Sequence, residues 1–295
     1  MAKNHMPVAH FGVRPDQVRA DCAPPKALDK WQPELHARAL ADAGADDLPL
    51  VVDVMDVIGE SWDGYGVTAR RVGALLRQAP DRAVVVNINS PGGDVFEGLA
   101  IYNLLRGHKG DVTVRVVGLA ASAASIIAMA GDRVEIARAG FLMIHNTWVF
   151  AVGDRNDLTS VAGQLAAFDE VMADLYAVRS GIDAAEIGKM MDRETWISGR
   201  AAIDQGFADD LLAADAIEIN ETARAEAPRV KNIAKIDAAM ARGGMPRSER
   251  RQMIKGMTST PGAADDDMPR AVDAMAALMG SAKKTLAQME NEHGL

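Results

Sequence analysis

Two turns in the sequence contain residues that could take part in catalysis. The first, Asn89-Ser90-Pro91-Gly92-Gly93-Asp94, lies between the apolar segment Ala83–Ile88 and a helix-like segment. Because successive glycines lack a Cβ, their backbone can approach a ligand closely and expose its N–H groups. Asp94 at the helix start would repel a phosphate, so a carbonyl oxygen that becomes negative in a transition state fits this turn better. A tight connection that binds no ligand would have the same sequence.

The second turn, Gly118-Leu119-Ala120-Ala121-Ser122-Ala123-Ala124-Ser125, places a serine between a strand and a helix. A hydroxyl in the first turn of a helix lies near unpaired backbone N–H donors, and the flanking alanines leave room for a substrate. Ser122 is therefore a candidate nucleophile, although a helix N-cap in a close-packed contact would explain the same residues. Ser125, one turn further into the helix, is the weaker candidate.

A nucleophilic serine needs a general base, and His145 is the histidine best placed to supply it. It follows the apolar strand Phe141–Ile144, whereas the other five histidines lie in the N-terminal segment, at a helix end or near the C-terminus. A single histidine at a strand end often has only a structural role. The combination of Ser122, His145 and the glycine turn predicts that the three meet at one edge of a sheet.

The third group of such a site is a carboxylate, which orients the imidazole and stabilises its charged form. The segment Met191–Ser198 supplies two candidates, Asp192 and Glu194. In an extended segment they would point to the same side, so their spacing leaves both open. The usual phosphate-loop, zinc-protease and dinucleotide motifs are absent from the sequence, and no Cys/His spacing suits a metal. We therefore expect neither a metal nor a cofactor.

Composition narrows the class of protein. Of the 295 residues, 48% are hydrophobic and 25% are charged, as in average globular proteins, which excludes collagen, coiled-coil rods and wholesale disorder. The longest weakly polar run, Val116–Ala130, is too short for a membrane span. A net charge of −9 argues against nucleic acid as a partner, and the single Cys22 excludes an internal disulfide. Residues 1–30 lack the apolar core of a signal peptide, so we expect a cytoplasmic protein.

Strand-like and helix-like segments alternate between about residues 48 and 218. Short apolar segments predict strands at Leu48–Val57 and Ala83–Ile88, which are rich in valine and isoleucine, and at Val112–Val117, Val134–Ile136 and Phe141–Ile144. Longer segments with one apolar side predict helices at Val67–Gln78, Asp94–Gly107 and Ala121–Ala130. This alternation predicts an α/β domain with a largely parallel sheet.

The longest predicted helix covers residues 156–179. Its apolar stripe has regular spacings of three and four residues, at Leu158, Val161, Leu165, Phe168, Met172 and Leu175. Asn156 could cap its start, and Gly181 lies just beyond its end. Such a stripe could pack on the sheet of its own chain or against a helix of another subunit.

The ends of the chain differ from the α/β region. Five prolines punctuate residues 1–46, which we predict to be an irregular N-terminal arm; residues 47–220 would form the catalytic domain. Residues 221–295 are predicted to be a partly helical or disordered tail, because eight of the sixteen methionines lie between Met240 and Met289, interleaved with charges. A second helical stripe is predicted within this tail, between Val272 and Met289.

Taken together, the motifs resemble the proteolytic subunit of the Clp protease and, more closely, its phage and prophage relatives, the head maturation (prohead) proteases. The matching elements, in order, are Ile88-Asn89-Ser90-Pro91-Gly92-Gly93, Gly118-Leu119-Ala120-Ala121-Ser122, Met143-Ile144-His145, Trp196-Ile197-Ser198 and Gly206-Phe207-Ala208-Asp209. They lie within residues 48–218. The segment 244–250 also resembles what phage members carry after the protease domain.

The resemblance assigns a role to each candidate residue. Ser122 would be the nucleophile and His145 the general base. Glu194 would be the acid, where better-known members have aspartate, with Asp192 as the alternative.

Two backbone N–H groups complete the site that the resemblance implies. Those of Gly93 and Ala123 would form the oxyanion hole. No cofactor or metal is implied.

The implied fold is a crotonase-like superhelix of ββα units with a protruding helix, residues 156–179, that joins subunits into a homo-oligomeric ring. The implied function is a serine endopeptidase that cleaves phage capsid, scaffold or portal proteins in the cytoplasm of a bacterial host. An ATPase partner would be compatible with the resemblance, but no residue indicates one. Two alternatives stay open: a crotonase-type acyl-CoA enzyme, and a ring-forming scaffold protein without catalysis.

Overall fold

A seven-stranded sheet positions every candidate residue. The computed structural model describes residues 18–19, 23–38, 48–61 and 66–258. The sheet contains β3 (Leu50–Val54), β4 (Val84–Ser90), β5 (Val112–Ala121), β6 (Arg133–Ala137), β7 (Phe141–Ile144), β9 (Thr195–Ser198) and β10 (Asp210–Leu212). Strands β10, β6, β5, β4 and β3 lie side by side and parallel, β7 runs parallel to the end of β5, and β9 pairs antiparallel with β7.

In the described part of the chain, two smaller two-stranded sheets lie outside the seven-stranded sheet. They are formed by β1 (Val18–Arg19) with β8 (Phe150–Ala151) and by β2 (Leu35–Ala37) with β11 (Ile217–Ile219). The described residues form the helices α1 (Pro25–Lys30), α2 (Ala69–Leu76), α3 (Val95–Arg106), α4 (Ala123–Ala128), α5 (Arg155–Ser180), α6 (Ala184–Asp192), α7 (Gly199–Asp204), α8 (Glu221–Arg242) and α9 (Arg247–Thr258). A 3-10 turn at Ala214–Ala216 precedes β11.

The predicted α/β class with a largely parallel sheet is confirmed. Strand β4 is buried along its whole length, which explains its nearly continuous run of valine and isoleucine. Helix α4 is also fully buried, and its small side chains let α3 approach closely: a Cβ at Gly98 would lie 3.0 Å from that of Ala123. The register between β4 and β5 shifts between Ile88 and Ser90, where the glycine turn begins.

Most predicted elements lie within a few residues of the observed ones, and the largest difference is informative. Strand β5 continues to Ala121, four residues beyond the predicted end, and α4 begins only at Ala123. Strand β5 therefore ends directly before Ser122, and the chain turns at Ser122 rather than at Gly118. The predicted stripe between Val272 and Met289 lies outside the described residues.

Helix α5 matches the predicted long helix, but its cap differs from the prediction. Asp154, not Asn156, is the N-cap, and it forms a capping box with Asp157. Asn156 already lies in the first turn, and its N–H donates to Asp154 at 2.7 Å. Gly181 ends the helix in the left-handed conformation, with φ of 76°.

The N-terminal segment is not irregular where the structure describes it, which corrects that part of the prediction. Its prolines do not prevent structure, because Pro25 opens α1, where a missing N–H is tolerated. Trp31 is buried, and its Nε1 donates to the carbonyl of Asn89 at 2.8 Å. The Asn89 side chain in turn donates to the carbonyls of Gln32 and Leu35 at 2.7 and 2.9 Å.

The chain divides into two compact units, Met1–Ile254 and Lys255–Leu295. In the first unit, α8 packs on α1, where Lys235 pairs with Asp29 at 2.6 Å. The described part of the second unit, residues 255–258, completes α9. The predicted boundaries at 46/47 and 220/221 stay predictions. Across the described ranges, no helix combines the length and the apolar character needed to span a membrane.

Candidate active site

Ser122 occupies a strained turn between β5 and α4. Its φ of 55° and ψ of −125° lie in a region that residues with a Cβ rarely adopt, and such a conformation typically costs about 1–3 kcal/mol. Its N–H donates to the carbonyl of Met143 at 2.9 Å, and its carbonyl accepts from the N–H of Ser125 at 2.9 Å. A sharp strand-to-helix turn of this kind presents a serine hydroxyl outward for nucleophilic attack.

His145 lies beside this hydroxyl because β7 pairs with the end of β5. Ala121 is opposite Met143 in that pairing, so the residue after each strand reaches the same edge of the sheet. Nε2 of His145 is 2.8 Å from Oγ of Ser122. Burial lowers the pKa of His145, while the negative charge of Glu194 raises it in part. The imidazole is therefore neutral near pH 7 and can accept the serine proton.

The two candidate acids differ in their surroundings. Asp192 ends α6, and its Oδ1 accepts a hydrogen bond from Nδ2 of Asn146 at 2.8 Å. Glu194 lies two residues further on in a left-handed conformation, with φ of 52°, so the segment is not extended between the two carboxylates. Within the described ranges, no hydrogen bond joins either carboxylate to His145, but the charge of Glu194 acts on the pKa of the imidazole.

The Glu194 carboxylate is held by two neighbours. Nε1 of Trp196 donates to its Oε1 at 3.2 Å, and Nζ of Lys26 on α1 lies 3.2 Å from the same atom. Lys30, one turn further along α1, stacks over the Trp196 ring at 4.7 Å from the centroid. The sequence gives no sign of the two lysine contacts, because they depend on the folding of the N-terminal segment.

The glycine turn passes so close to Ser122 that it cannot carry a side chain. A Cβ at Gly92 would lie 2.7 Å from that of Ser122 and 2.6 Å from the carbonyl oxygen of Ala121. Ile58 pairs with this turn through the carbonyl of Gly92 and the N–H of Asp94, both at 3.0 Å. That pairing leaves the N–H of Gly93 unused, and no other described residue accepts a hydrogen bond from it.

The N–H of Ala123 is the second predicted donor. Ala123 is the first residue of α4, so its N–H has no acceptor within the helix. Gly93, Ala123, Ser122 and His145 line one open pocket, together with Val95, Ile126, Asn146, Thr147, Trp148, Met172 and Tyr176. The structure thus brings four of the five predicted site residues into one pocket. Glu194 does not line it.

Ser125 is not available as a nucleophile. Its side chain is fully buried, and its Oγ donates to the carbonyl of Ser122 at 2.7 Å. The same Oγ lies 2.8 Å from the hydroxyl of Tyr176 on α5. Tyr176 is absent from the predicted stripe, although it follows Met172 by four residues, and that helical spacing could have identified it.

Asp169 of α5 contacts the loop that follows His145, and no sequence signal distinguishes it from a solvated helical charge. Its Oδ1 accepts a hydrogen bond from the N–H of Thr147 at 2.6 Å. Burial raises the pKa of Asp169, and the charge of Asp192 raises it further. Because Thr147 is two residues from His145, this bond fixes the path of the loop. The described residues contain no group of three or more His, Cys, Asp or Glu side chains that could hold a metal ion.

Comparison with known proteins points to one family. The family described as Clp protease matches residues 67–215. The chain is 27% identical over 167 residues to the ATP-dependent Clp protease proteolytic subunit of Bacteroides fragilis, covering 55% of this chain and 81% of that protein. It is 32% identical over 142 residues to the ATP-dependent Clp protease proteolytic subunit 1 of Streptomyces coelicolor, covering 47% of this chain and 64% of that protein. The matched range contains the turn at Ser122, His145 and both candidate acids.

Proposed function

Because this chain belongs to the Clp protease family, we propose that it is a serine endopeptidase in which Ser122 is the nucleophile. The observation that carries this proposal is the 2.8 Å contact between Nε2 of His145 and Oγ of Ser122, made at a strained turn that opens into a pocket. The family match supports a serine-type peptidase, and the assignment of individual residues rests on the geometry.

The first half of the reaction forms an acyl-enzyme. Oγ of Ser122 attacks the carbonyl carbon of the scissile peptide bond, and its proton passes to Nε2 of His145. The carbonyl oxygen becomes negative and accepts hydrogen bonds from the N–H groups of Gly93 and Ala123, each typically worth about 3 kcal/mol in the transition state. His145 then donates its proton to the leaving amine, the C–N bond breaks, and an ester to Ser122 remains.

The second half releases the acid product. Water attacks the ester carbonyl while Nε2 of His145 accepts its proton, and the same two N–H groups stabilise the oxyanion. His145 returns the proton to Oγ of Ser122 as the ester bond breaks. Glu194 acts as the acid of this site through its negative charge, which raises the pKa of His145 and stabilises the imidazolium that forms in both steps.

Helix α5, which covers the predicted segment 156–179, is proposed to join subunits into a homo-oligomeric ring. Several of its apolar side chains face solvent in the single chain: Leu158 is 46% exposed, Val171 50% and Val178 87%. Phe168 on the same helix packs edge to face against Phe96 of α3, with ring centroids 5.3 Å apart. The Phe96 side chain is 53% exposed. Solvent-exposed apolar side chains along one helix are typical of a surface that a partner covers.

The substrate class follows from the resemblance of the tail. We propose a phage or prophage head maturation protease that cleaves capsid, scaffold or portal proteins, because the segment 244–250 resembles that branch. Co-expression with a candidate capsid protein, followed by mass spectrometry of new N-termini, tests this assignment. New termini that are absent with Ser122→Ala would support it, and an uncut capsid protein in the presence of an enzyme active on casein would contradict it.

The peptidase activity itself is tested on the purified full chain. A fluorophosphonate probe should label Ser122, as read by peptide mass spectrometry, and fluorescently labelled casein should be cleaved. Ser122→Ala should abolish both signals without changing the sedimentation coefficient, whereas Ser160→Ala, an exposed serine on α5, should change neither. Hydration of an enoyl-CoA without labelling would favour the crotonase alternative. An assembled protein with neither labelling nor turnover would favour the scaffold.

A further inference from the structure

Three hydroxyl and carbonyl groups form a buried chain behind the nucleophile. Oγ of Ser125 lies 2.7 Å from the carbonyl oxygen of Ser122 and 2.8 Å from the hydroxyl of Tyr176. Both side chains are almost fully buried. A carbonyl oxygen can only accept, so the single proton of Ser125 is donated to Ser122, and Tyr176 must donate to Ser125. The chain therefore has one direction, from Tyr176 to the backbone of Ser122.

The direction is maintained at every pH at which the enzyme could work. Burial raises the pKa of Tyr176 above its ordinary value of 10.0. Its hydroxyl consequently keeps its proton and acts as a donor throughout the neutral range. Tyr176 lies on α5 and Ser125 on α4, so the chain joins two helices to the turn at Ser122.

The carbonyl that receives this chain shares a peptide unit with the proposed oxyanion donor. The carbonyl of Ser122 and the N–H of Ala123 belong to one planar group, and in a trans peptide they point in opposite directions. The structure contains no cis peptide bond in its described residues. Hydrogen bonds that hold the carbonyl toward the interior therefore hold the N–H of Ala123 toward the pocket that it lines.

The same peptide group also couples the N–H of Ala123 electronically to the carbonyl oxygen of Ser122. When an oxyanion accepts a hydrogen bond from the N–H of Ala123, the carbonyl oxygen of Ser122 becomes a stronger acceptor. The hydrogen bond from Ser125 is then stronger in the transition state than in the ground state, because chains of hydrogen bonds polarise one another. Only interactions that strengthen in this way raise kcat.

We propose that Ser125 and Tyr176 are positioning residues that orient and polarise the peptide unit between Ser122 and Ala123, so that its N–H can stabilise the oxyanion. This inference rests on the proposed peptidase function and deepens it. Neither side chain touches the substrate, so both act through the backbone of the turn.

Three variants test the proposal: Ser125→Ala, Tyr176→Phe and the double variant. Each single change should lower kcat on one fluorogenic peptide about 5–30-fold, a fraction of the loss known for deleting an oxyanion donor outright, and leave KM within about twofold. The double variant should be no slower than the slower single variant, because both changes break the same chain. A peptide aldehyde, whose adduct places an oxyanion in the hole, should bind more weakly in step with kcat.

A matched control separates this role from simple packing. Ser180→Ala removes a hydroxyl from the same helix, where Oγ of Ser180 donates to the carbonyl of Tyr176 at 2.7 Å, but it leaves the chain to Ser122 intact. It should lower the thermal midpoint without changing kcat or aldehyde affinity. The proposal is wrong if Tyr176→Phe and Ser125→Ala each keep kcat within twofold of the wild type. It is also wrong if the fold-loss of kcat in the double variant equals the product of the two single fold-losses. Wild-type protein that neither cleaves nor labels would instead overturn the proposed peptidase function.

Discussion

Replacing Ser122 with glycine should give a more stable protein than replacing it with alanine, although both changes remove the nucleophile. Each variant loses the 2.8 Å contact with His145, so that contribution cancels in the comparison. What remains is the backbone conformation, with φ of 55° and ψ of −125°. Alanine must still adopt it with a Cβ, whereas glycine adopts it freely.

Two opposing contributions set the size of the difference. Relief of the strained conformation favours glycine by about 1–3 kcal/mol. The larger conformational entropy of glycine in the unfolded chain opposes this by about 0.4–1 kcal/mol. At the midpoints of these ranges we therefore expect Ser122→Gly to exceed Ser122→Ala in unfolding free energy by about 1.3 kcal/mol, or about 3–5 °C in thermal midpoint.

Urea denaturation of the two variants at equal protein concentration measures this difference. Equal concentrations are needed because association shifts apparent stability, and equal m-values are needed for midpoints to be compared directly. Ala124→Gly, in the regular helix two residues further on, is the control and should destabilise by about 1 kcal/mol. If Ser122→Gly is no more stable than Ser122→Ala, the turn stores no strain and the reasoning fails.

Other predictions concern the acid, the base and the assembly. Glu194→Gln should lower kcat about 10–1000-fold, whereas Asp192→Asn should leave it within about threefold, because that carboxylate bonds Asn146 instead; steady-state kinetics showing the reverse order would make Asp192 the acid. Because burial lowers the pKa of His145 from its ordinary 6.5, the acidic limb of the kcat/KM profile should lie below that pH. The limb should move lower still in Glu194→Gln, since the charge that raises the pKa is removed; a limb that does not move would refute the coupling. Finally, Val178→Asp should shift sedimentation toward smaller species, and an unchanged distribution would exclude this part of α5 from the subunit contact.

The residues around Ser122 could be predicted because each follows a strand with a strong local pattern. Valine- and isoleucine-rich segments mark β4 and β5, and a short apolar segment marks β7. The carboxyl ends of these neighbouring parallel strands meet at one edge. The turns that follow β4 and β5 contain glycine or a serine among alanines, which are small residues that allow a close backbone approach. Local sequence was therefore sufficient to bring Gly93, Ser122 and His145 together, while their catalytic roles stay predictions.

The surroundings of Glu194 could not be predicted, because they depend on contacts distant in sequence. Its left-handed backbone arises where α6 ends and β9 begins, and no glycine or asparagine marks that position. Lys26 reaches its carboxylate from a segment whose prolines suggest irregular structure. The bond between Ser125 and Tyr176 spans 51 residues; helical spacing could place Tyr176 on the buried face of α5, but no local pattern indicates that its partner is Ser125.

The anchoring of Asn89 has a practical consequence for anyone trimming this protein. Its buried side chain donates to the carbonyls of Gln32 and Leu35 and accepts from the N–H of Leu119 at 3.2 Å. A fragment that starts at residue 47 would delete both carbonyls and Trp31, leaving the buried side-chain NH2 of Asn89, at the start of the glycine turn, without acceptors. Recombinant fragments should therefore begin upstream of Ala23. A fragment that begins at the edge of the α/β region would lack the segment that holds Asn89, and the glycine turn that lines the pocket would be less well ordered.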